Sequence, residues 1–243
     1  MKKWMKRILI VFLVGMLIFL IPTGVITYQG YQRYVQVMEE KTLDEKIDEI
    51  QSNPNYTKLQ DLPPIYLDAV VAVEDKRFYH HYGIDPISLA RAIRNYLRAK
   101  ALIEGGSTIT QQLAKNLYFD DEASLVRKAA EAMVTVVLEE RYSKDEILEL
   151  YVNCIYFGES YYCVYDASTG YFGKIPSQMT DFEATMLAGI PNAPSAYAPT
   201  VNMDLARKRQ EKVLESMVRE GYLTEQEADI IKISGNRTFQ KVL

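Results

Sequence analysis

Two adjacent carboxylates, Glu74 and Asp75, open the run EDKRFYHHYGID at residues 74–85. The preceding IYLDAVVAV has apolar residues at helical spacing, which predicts a largely buried helix ending at this pair. A carboxylate there meets the negative end of the helix dipole, a like charge next door and partial burial, and all three raise its pKa. Such a group suits general acid or base work. Taken alone, the pair reads more readily as a solvated helix end, and His81 as a hydrogen-bonded core histidine.

The run GGSTITQQLAKN, residues 105–116, leads two glycines and a serine straight into a helix whose free N–H groups can hold an anion such as phosphate. Thr108, Gln112 and Lys115 fall at i, i+4 and i+7, so two polar groups and a cation share one helix face. A C-cap glycine followed by a capped surface helix fits the same pattern equally well, and the spacing is not that of a Walker A loop. Further on, RKAAE at residues 127–131 sets Arg127 and Glu131 four apart. That is either a surface ion pair worth ~0.3 to 0.5 kcal/mol or, given Ala129, Ala130, Met133, Val136 and Val137 nearby, a pair lining a cleft. Residues 86–103, PISLARAIRNYLRAKALI, carry Arg91, Arg94, Arg98 and Lys100 and no acid beside a broad apolar face. They read as an interfacial helix at a membrane surface, or as a core helix with a basic outer side.

The elements that must hold these groups are mostly helices. Asp85 before Pro86 is an N-cap with proline at the first helical position, and the helix it opens is expected to end at Gly105-Gly106. Capping boxes stand at Thr108 with Gln111, Ser143 with Glu146, Thr180 with Glu183 and Thr224 with Glu227. No alternating strand pattern competes, so the expected fold class is mainly α. The uncharged stretch at residues 8–28 has the length of a transmembrane helix, a reading preferred to a cleavable signal peptide because the run is long and lacks a pair of small residues at a cleavage position. Lys2, Lys3, Lys6 and Arg7 before it place the N-terminus in the cytoplasm and the rest outside. The expected organisation is a cytoplasmic tail at 1–7, an anchor at 8–28, a helical stalk and linker at 29–61, and one folded domain at 62–243.

With 48% hydrophobic and 25% charged residues in 243, the chain can build one substantial core. The formal charge of −4 includes the four cations of the tail, which leaves the remainder at −8 and argues against nucleic acid as a partner. The two histidines are adjacent and lack zinc-ligand spacing. Cys154 and Cys163, nine residues apart on the expected oxidising side, leave a disulfide open.

These segments, in this order, resemble the family 51 glycosyltransferases, the peptidoglycan-polymerising domain found alone or at the front of class A penicillin-binding proteins. The resemblance runs from about Leu62 to Pro199 and is carried by EDKRFYHHYGID, GGSTITQQLAKN, RKAAE, KDEILELYVNCIYFG, GYFGK and EATMLAGIPNAPSAYAP. It implies a lysozyme-like helical lobe with a smaller membrane-associated jaw, preceded by one transmembrane helix. The implied reaction joins lipid II units, with inversion at the donor MurNAc carbon and release of polyprenyl diphosphate. The resemblance makes Glu74 the base and gives Lys115 and Arg127 the diphosphate. Glu131 orients that cationic cluster or a divalent ion, magnesium or manganese, although no cofactor is required. Gly106, Ser107, Thr108, Gln112 and Asn116 line the donor side, while Asp75, Phe78 and His81 support Glu74. Implied partners are lipid II, the lipid-linked glycan chain, the bilayer and other cell-wall synthesis proteins.

The serine, S-x-N and K-T-G boxes of a transpeptidase are absent, so the expectation is a monofunctional chain or a piece of a longer one. Where the family shows roughly YGIEAAA, this chain has YCVYDAS at residues 162–168, which leaves the local geometry and the role of that acid open. Two other readings remain: a lysozyme-like hydrolase working with two carboxylates, and a non-catalytic protein that binds cell-wall precursor.

Overall fold

The computed structural model describes residues 3–99, 106–119 and 124–239. Among them there is no strand, only an isolated bridge between Tyr82 and Ile84. The mainly α expectation therefore holds.

Helix α1 (Lys3–Glu40) and α2 (Leu43–Gln51) precede a core built on α3 (Pro64–Glu74). Proline stands in the first turn of α3, where its missing N–H costs nothing. Tyr66, Ala69, Val70, Val71 and Ala72 are buried against α9 (Asp181–Gly189) and α11 (Met203–Arg219). Helix α3 stops at Glu74 because Asp75 leaves helical geometry at φ −154°, ψ 76°.

A turn then leads to α4 (Pro86–Ala99), whose first turn is capped by Asp85 Oδ1 accepting from the N–H of Ile87 (3.0 Å) and Ser88 (3.2 Å). The expected end of this helix at Gly105-Gly106, with Lys100, falls in residues 100–105 and lies largely outside the described residues, as does the side chain of Arg98. Gly83 in the turn has φ +72°, and a Cβ there would meet Thr135 Cγ2 at 2.7 Å, so this position requires glycine twice over.

Helix α5 (Ile109–Tyr118) packs on α6 (Leu125–Arg141) and α7 (Lys144–Val152). The rest of the body is α8 (Val164–Phe172), the short α10 (Pro194–Tyr197) and α12 (Glu225–Phe239). The boxes at Thr108/Gln111, Ser143/Glu146 and Thr180/Glu183 form, and Thr224 exchanges hydrogen bonds with Glu227. A further box, Thr42 with Glu45, opens α2 in the stretch expected to be stalk.

That stretch is not a free stalk. Val37, Leu43 and Ile47 belong to the hydrophobic core. Gly30 lets α1 approach α6 so closely that a Cβ would stand 2.5 Å from the Ala129 Cβ. Residues 53–61 are stitched to α7 and its end: Thr57 N–H donates to Asn153 Oδ1 and Asn153 Nδ2 returns a bond to Thr57 O, both 2.8 Å. Glu149 accepts from the Tyr56 hydroxyl at 2.7 Å and the Leu59 N–H at 2.9 Å. Thr57 is buried, and both its backbone N–H and its carbonyl are satisfied by Asn153.

Helix α1 runs unbroken through the expected anchor, past Pro22. Among the described residues no helix is long and apolar enough to cross a membrane. The expected span at residues 8–28 lies partly outside them, since nothing is described of the side chains of Leu9, Leu13, Val14, Leu17, Ile18 and Phe19. Those described there, including Ile8, Val11, Phe12 and Ile21, are exposed apart from the half-buried Ile26. Cys154 and Cys163 are both free thiols, so the disulfide left open by the sequence is not formed.

Candidate active site

The C-terminus of α3, the N-terminus of α5, one side of α4 and the flank of α11 enclose a cleft of about 1770 Å³. Of the residues singled out in the sequence it is lined by Glu74, Asp75, Gly106, Ser107, Thr108, Gln112, Lys115 and Asn116. Arg91, Arg94 and Asn95 of α4 also line it, with Lys76, Arg209, Lys212 and Arg219 from elsewhere. Among the described residues, seven cationic side chains face three carboxylates, Glu74, Asp75 and Glu215, in a chain whose overall charge is negative. Such a lining selects an anionic guest.

Glu74 projects from the last turn of α3. Its Oε2 accepts from Gln112 Nε2 at 2.8 Å, while Oε1 is buried with no hydrogen-bond partner among the described residues and lies 3.6 Å from Arg209 Nη2. Burial raises the Glu74 pKa above the ordinary carboxylate value, aided by neighbouring Asp75 and opposed by the Gln112 hydrogen bond and the Arg209 charge. Asp75 is engaged differently. It is buried, both oxygens lie about 3 Å from His81 Nε2 (3.0 and 2.9 Å), and Oδ2 accepts the Ile109 N–H at 3.1 Å. Asp75 therefore ties the end of α3 to the start of α5. Phe78 is fully buried with its ring edge-on to His81 at 6.5 Å, so both stand behind the cleft wall.

At the mouth of α5, Thr108 caps the helix and donates its hydroxyl to the Gly83 carbonyl. Thr108, Gln112 and Lys115 share the cleft side of α5, the face set by their helical spacing. Asn116 turns back to the Gln112 carbonyl at 2.8 Å.

Arg127 and Glu131 are not among the described residues lining this cleft. Glu131 is 1% exposed and accepts from Arg127 through one oxygen and from Lys128 through the other. Lys128 also donates to Ser107 Oγ at 2.9 Å, so the cluster braces the loop before α5 from behind. The cleft-lining reading of RKAAE is thus corrected to an ion cluster gathered on the buried Glu131, outside the described cleft lining. Both Glu131 oxygens hold cations already, so this donor set does not fit a divalent ion. Three potential ligands do gather within 4.8 Å at Asp75, His81 and Asp85. There, however, Arg77 grips Asp85 with Nε at 3.1 Å and Nη2 at 2.6 Å, and Asp75 is spent on His81 and Ile109.

Sequence reasoning missed Lys128 and Arg209. Lys128 sits inside RKAAE and was visible as a third charge, whereas Arg209 lies beyond the last matching segment and reaches Glu74 only through the packing of α11 on α3. The divergent YCVYDAS segment is accommodated. Cys163 caps α8 from extended backbone at φ −148°, which requires no glycine, and Asp166 accepts from Asn55 at 2.7 Å away from the cleft.

A family model described as a transglycosylase matches residues 27–218. Penicillin-binding protein 1A of Neisseria flavescens is 48% identical over 174 residues, 72% of this chain and 22% of that protein. Penicillin-binding protein 1F of Bacillus subtilis is 41% identical over 192 residues, 77% of this chain and 27% of that protein. The crystal structure of penicillin-binding protein 1A from Haemophilus influenzae is similar at a TM-score of 0.44 and 24% identity, covering 73% of this chain and 17% of that one. The chain spans about a quarter of the length of the curated relatives it matches.

Proposed function

The chain belongs to the transglycosylase family, whose model matches residues 27–218, and from that premise we propose that it is a peptidoglycan glycosyltransferase acting on lipid II and a lipid-linked glycan chain. Glu74 is the general base. Its unpartnered Oε1 takes the proton from the acceptor 4-hydroxyl, that oxygen attacks the donor anomeric carbon with inversion, and the polyprenyl diphosphate departs. The observation that carries this reading is a buried carboxylate with one free oxygen, 3.6 Å from Arg209 and facing a cationic cleft.

A raised pKa makes Glu74 a stronger base than a solvated carboxylate, and the Gln112 and Arg209 contacts oppose that rise. The leaving diphosphate gathers negative charge, which Lys115 and the cations of α4 stabilise. Arg127, Lys128 and Glu131 act indirectly, through the Lys128 hydrogen bond that holds Ser107 at the cleft. Divalent ion chemistry is not assigned to Glu131, whose oxygens are already engaged.

A hydrolase would use a second carboxylate across the scissile bond. Among the described cleft residues Asp75 is engaged by His81 and Ile109 and Glu215 by Lys212, so transfer is the better supported reaction. The fold in this reading is a helical lobe with a membrane-associated jaw. On α4, Ser88, Arg91 and Asn95 face the cleft while Ile87 and Leu89 are 64% and 49% exposed, which supports contact with the lipid face. The uncharged run at residues 8–28 serves as a single membrane anchor with its N-terminus in the cytoplasm.

The test is turnover of purified lipid-linked disaccharide. Polymer supports the proposal, and shortening of preformed glycan supports hydrolysis. Lys115→Ala should lower both precursor affinity and rate, because the lysine contacts the diphosphate in the bound state and more strongly as charge builds.

A further inference from the structure

Gln112 is an amide, and an amide beside a carboxylate can present either its N–H or its oxygen. Only the N–H favours the ionised acid. Gln112 Nε2 lies 2.8 Å from Glu74 Oε2, and on the far side of the same amide the Tyr151 hydroxyl donates to Gln112 Oε1 at 3.3 Å. Tyr151 comes from α7, is 1% exposed and sits in the hydrophobic core, so its phenolic proton has no solvent to turn to. Reversing the amide would strip that buried proton of its acceptor and leave it unsatisfied. It would also set the amide oxygen against the carboxylate.

We propose that Tyr151 is a positioning residue for the reaction: its buried hydroxyl fixes the Gln112 amide with the N–H toward Glu74, so that Glu74 stands ionised and oriented at the cleft. This rests on Glu74 being the base. Without the hydroxyl, Gln112 Oε1 has lost its donor and is free to accept from a protonated Glu74, which favours the acid form. The other groups facing Glu74 are Asp75 at the end of its own helix, which raises its pKa, and Arg209 from α11, which lowers it. Neither touches the Gln112 amide, so the effect of Tyr151 is separable from theirs.

The experiment uses the full chain in lipid vesicles with lipid-linked disaccharide, and reads initial polymerisation rate against pH for the parent, Tyr151→Phe, Gln112→Leu and the double variant. Phenylalanine keeps the ring in the core, and circular dichroism establishes that it folds. Tyr151→Phe should move the ascending limb to higher pH by of order one unit, a roughly tenfold rate loss well below the limb, with the rate recovered at high pH. Precursor affinity should be unchanged. In the Gln112→Leu background the same substitution should produce no further shift, because the hydroxyl acts through the amide. An unmoved limb in Tyr151→Phe, or an equal shift in both backgrounds, overturns the proposal. Glu74→Gln run beside them separates the two readings: full activity there removes the base itself, whereas an inactive Glu74→Gln with an unmoved Tyr151→Phe limb removes only the role of Tyr151.

Discussion

At Glu74, burial and the two polar partners pull in opposite directions, and burial wins. As a base the group must be ionised, so polymerisation should fall as pH drops through a value above the ~4.3 of a free glutamate. A pH–rate profile checks this, and a limb at ~4.3 would contradict it. The same shift has a stability consequence. With the folded pKa raised, the stability linked to this group is fully present below ~4.3 and is lost as pH rises through the folded value, so the ionised form is a cost at neutral pH. Glu74→Gln should therefore gain stability over the parent at pH 8 that it does not show at pH 4, measured by urea unfolding. Asp85 has the opposite sign. Burial pushes it up, but the Arg77 guanidinium and the Ser88 hydrogen bonds hold it well below the usual carboxylate range. Its contribution is present above ~3.9 and lost only as pH falls through the folded value. Arg77→Ala should cost about 2 kcal/mol, less than the ~3 to 5 of a wholly buried pair, because Arg77 is 27% exposed and two backbone amides still serve Asp85. At this scale the sequence was informative about type more than about place. Glu74 and Lys115 were legible because each sits in a local pattern, whereas the Arg209 contact joins residues far apart in the chain and no spacing announces it.

At the scale of elements, α6 connects α1 to the site. Its first turns carry Arg127, Lys128 and Glu131, which brace Ser107, and its outer side receives Gly30 of α1. Gly30→Ala would push a methyl to 2.5 Å from Ala129 Cβ and 3.2 Å from the Ala130 nitrogen, so it should destabilise by about 1 to 3 kcal/mol and reduce polymerisation. Ala129→Gly added to it should restore most of both. Thermal unfolding of the two variants checks this, and a harmless Gly30→Ala would mean that α1 is not seated there. The capping boxes were legible because a box is settled within four residues. The seat of α1 was not, since small residues at 30, 129 and 130 declare a close approach only once both helices are placed. The burial of Val37, Leu43 and Ile47 was not legible for a related reason: they look sparse along the chain and join the core only once α1 is set on α6 and α2 on α7.

At the scale of the molecule, an exposed apolar helix, a basic α4 and a cationic cleft support the proposed reading of a protein held against a membrane and working on a lipid-borne anion. Removal of residues 1–28 should leave a folded body that still sediments with anionic vesicles at low salt, and charge reversal at Arg91 and Arg94 should weaken that adhesion. No vesicle affinity in the truncated protein would contradict the interfacial role of α4. Removal of residues 1–41 should instead destabilise the body, because it takes away Gly30 and Val37. The most direct measurement is polymerisation of lipid-linked disaccharide by the full chain and by Glu74→Gln, with equilibrium binding of the same precursor to both. The account predicts a rate lowered by roughly 10² to 10⁴ with affinity close to that of the parent. A Glu74→Gln variant that polymerises at the parental rate would contradict it.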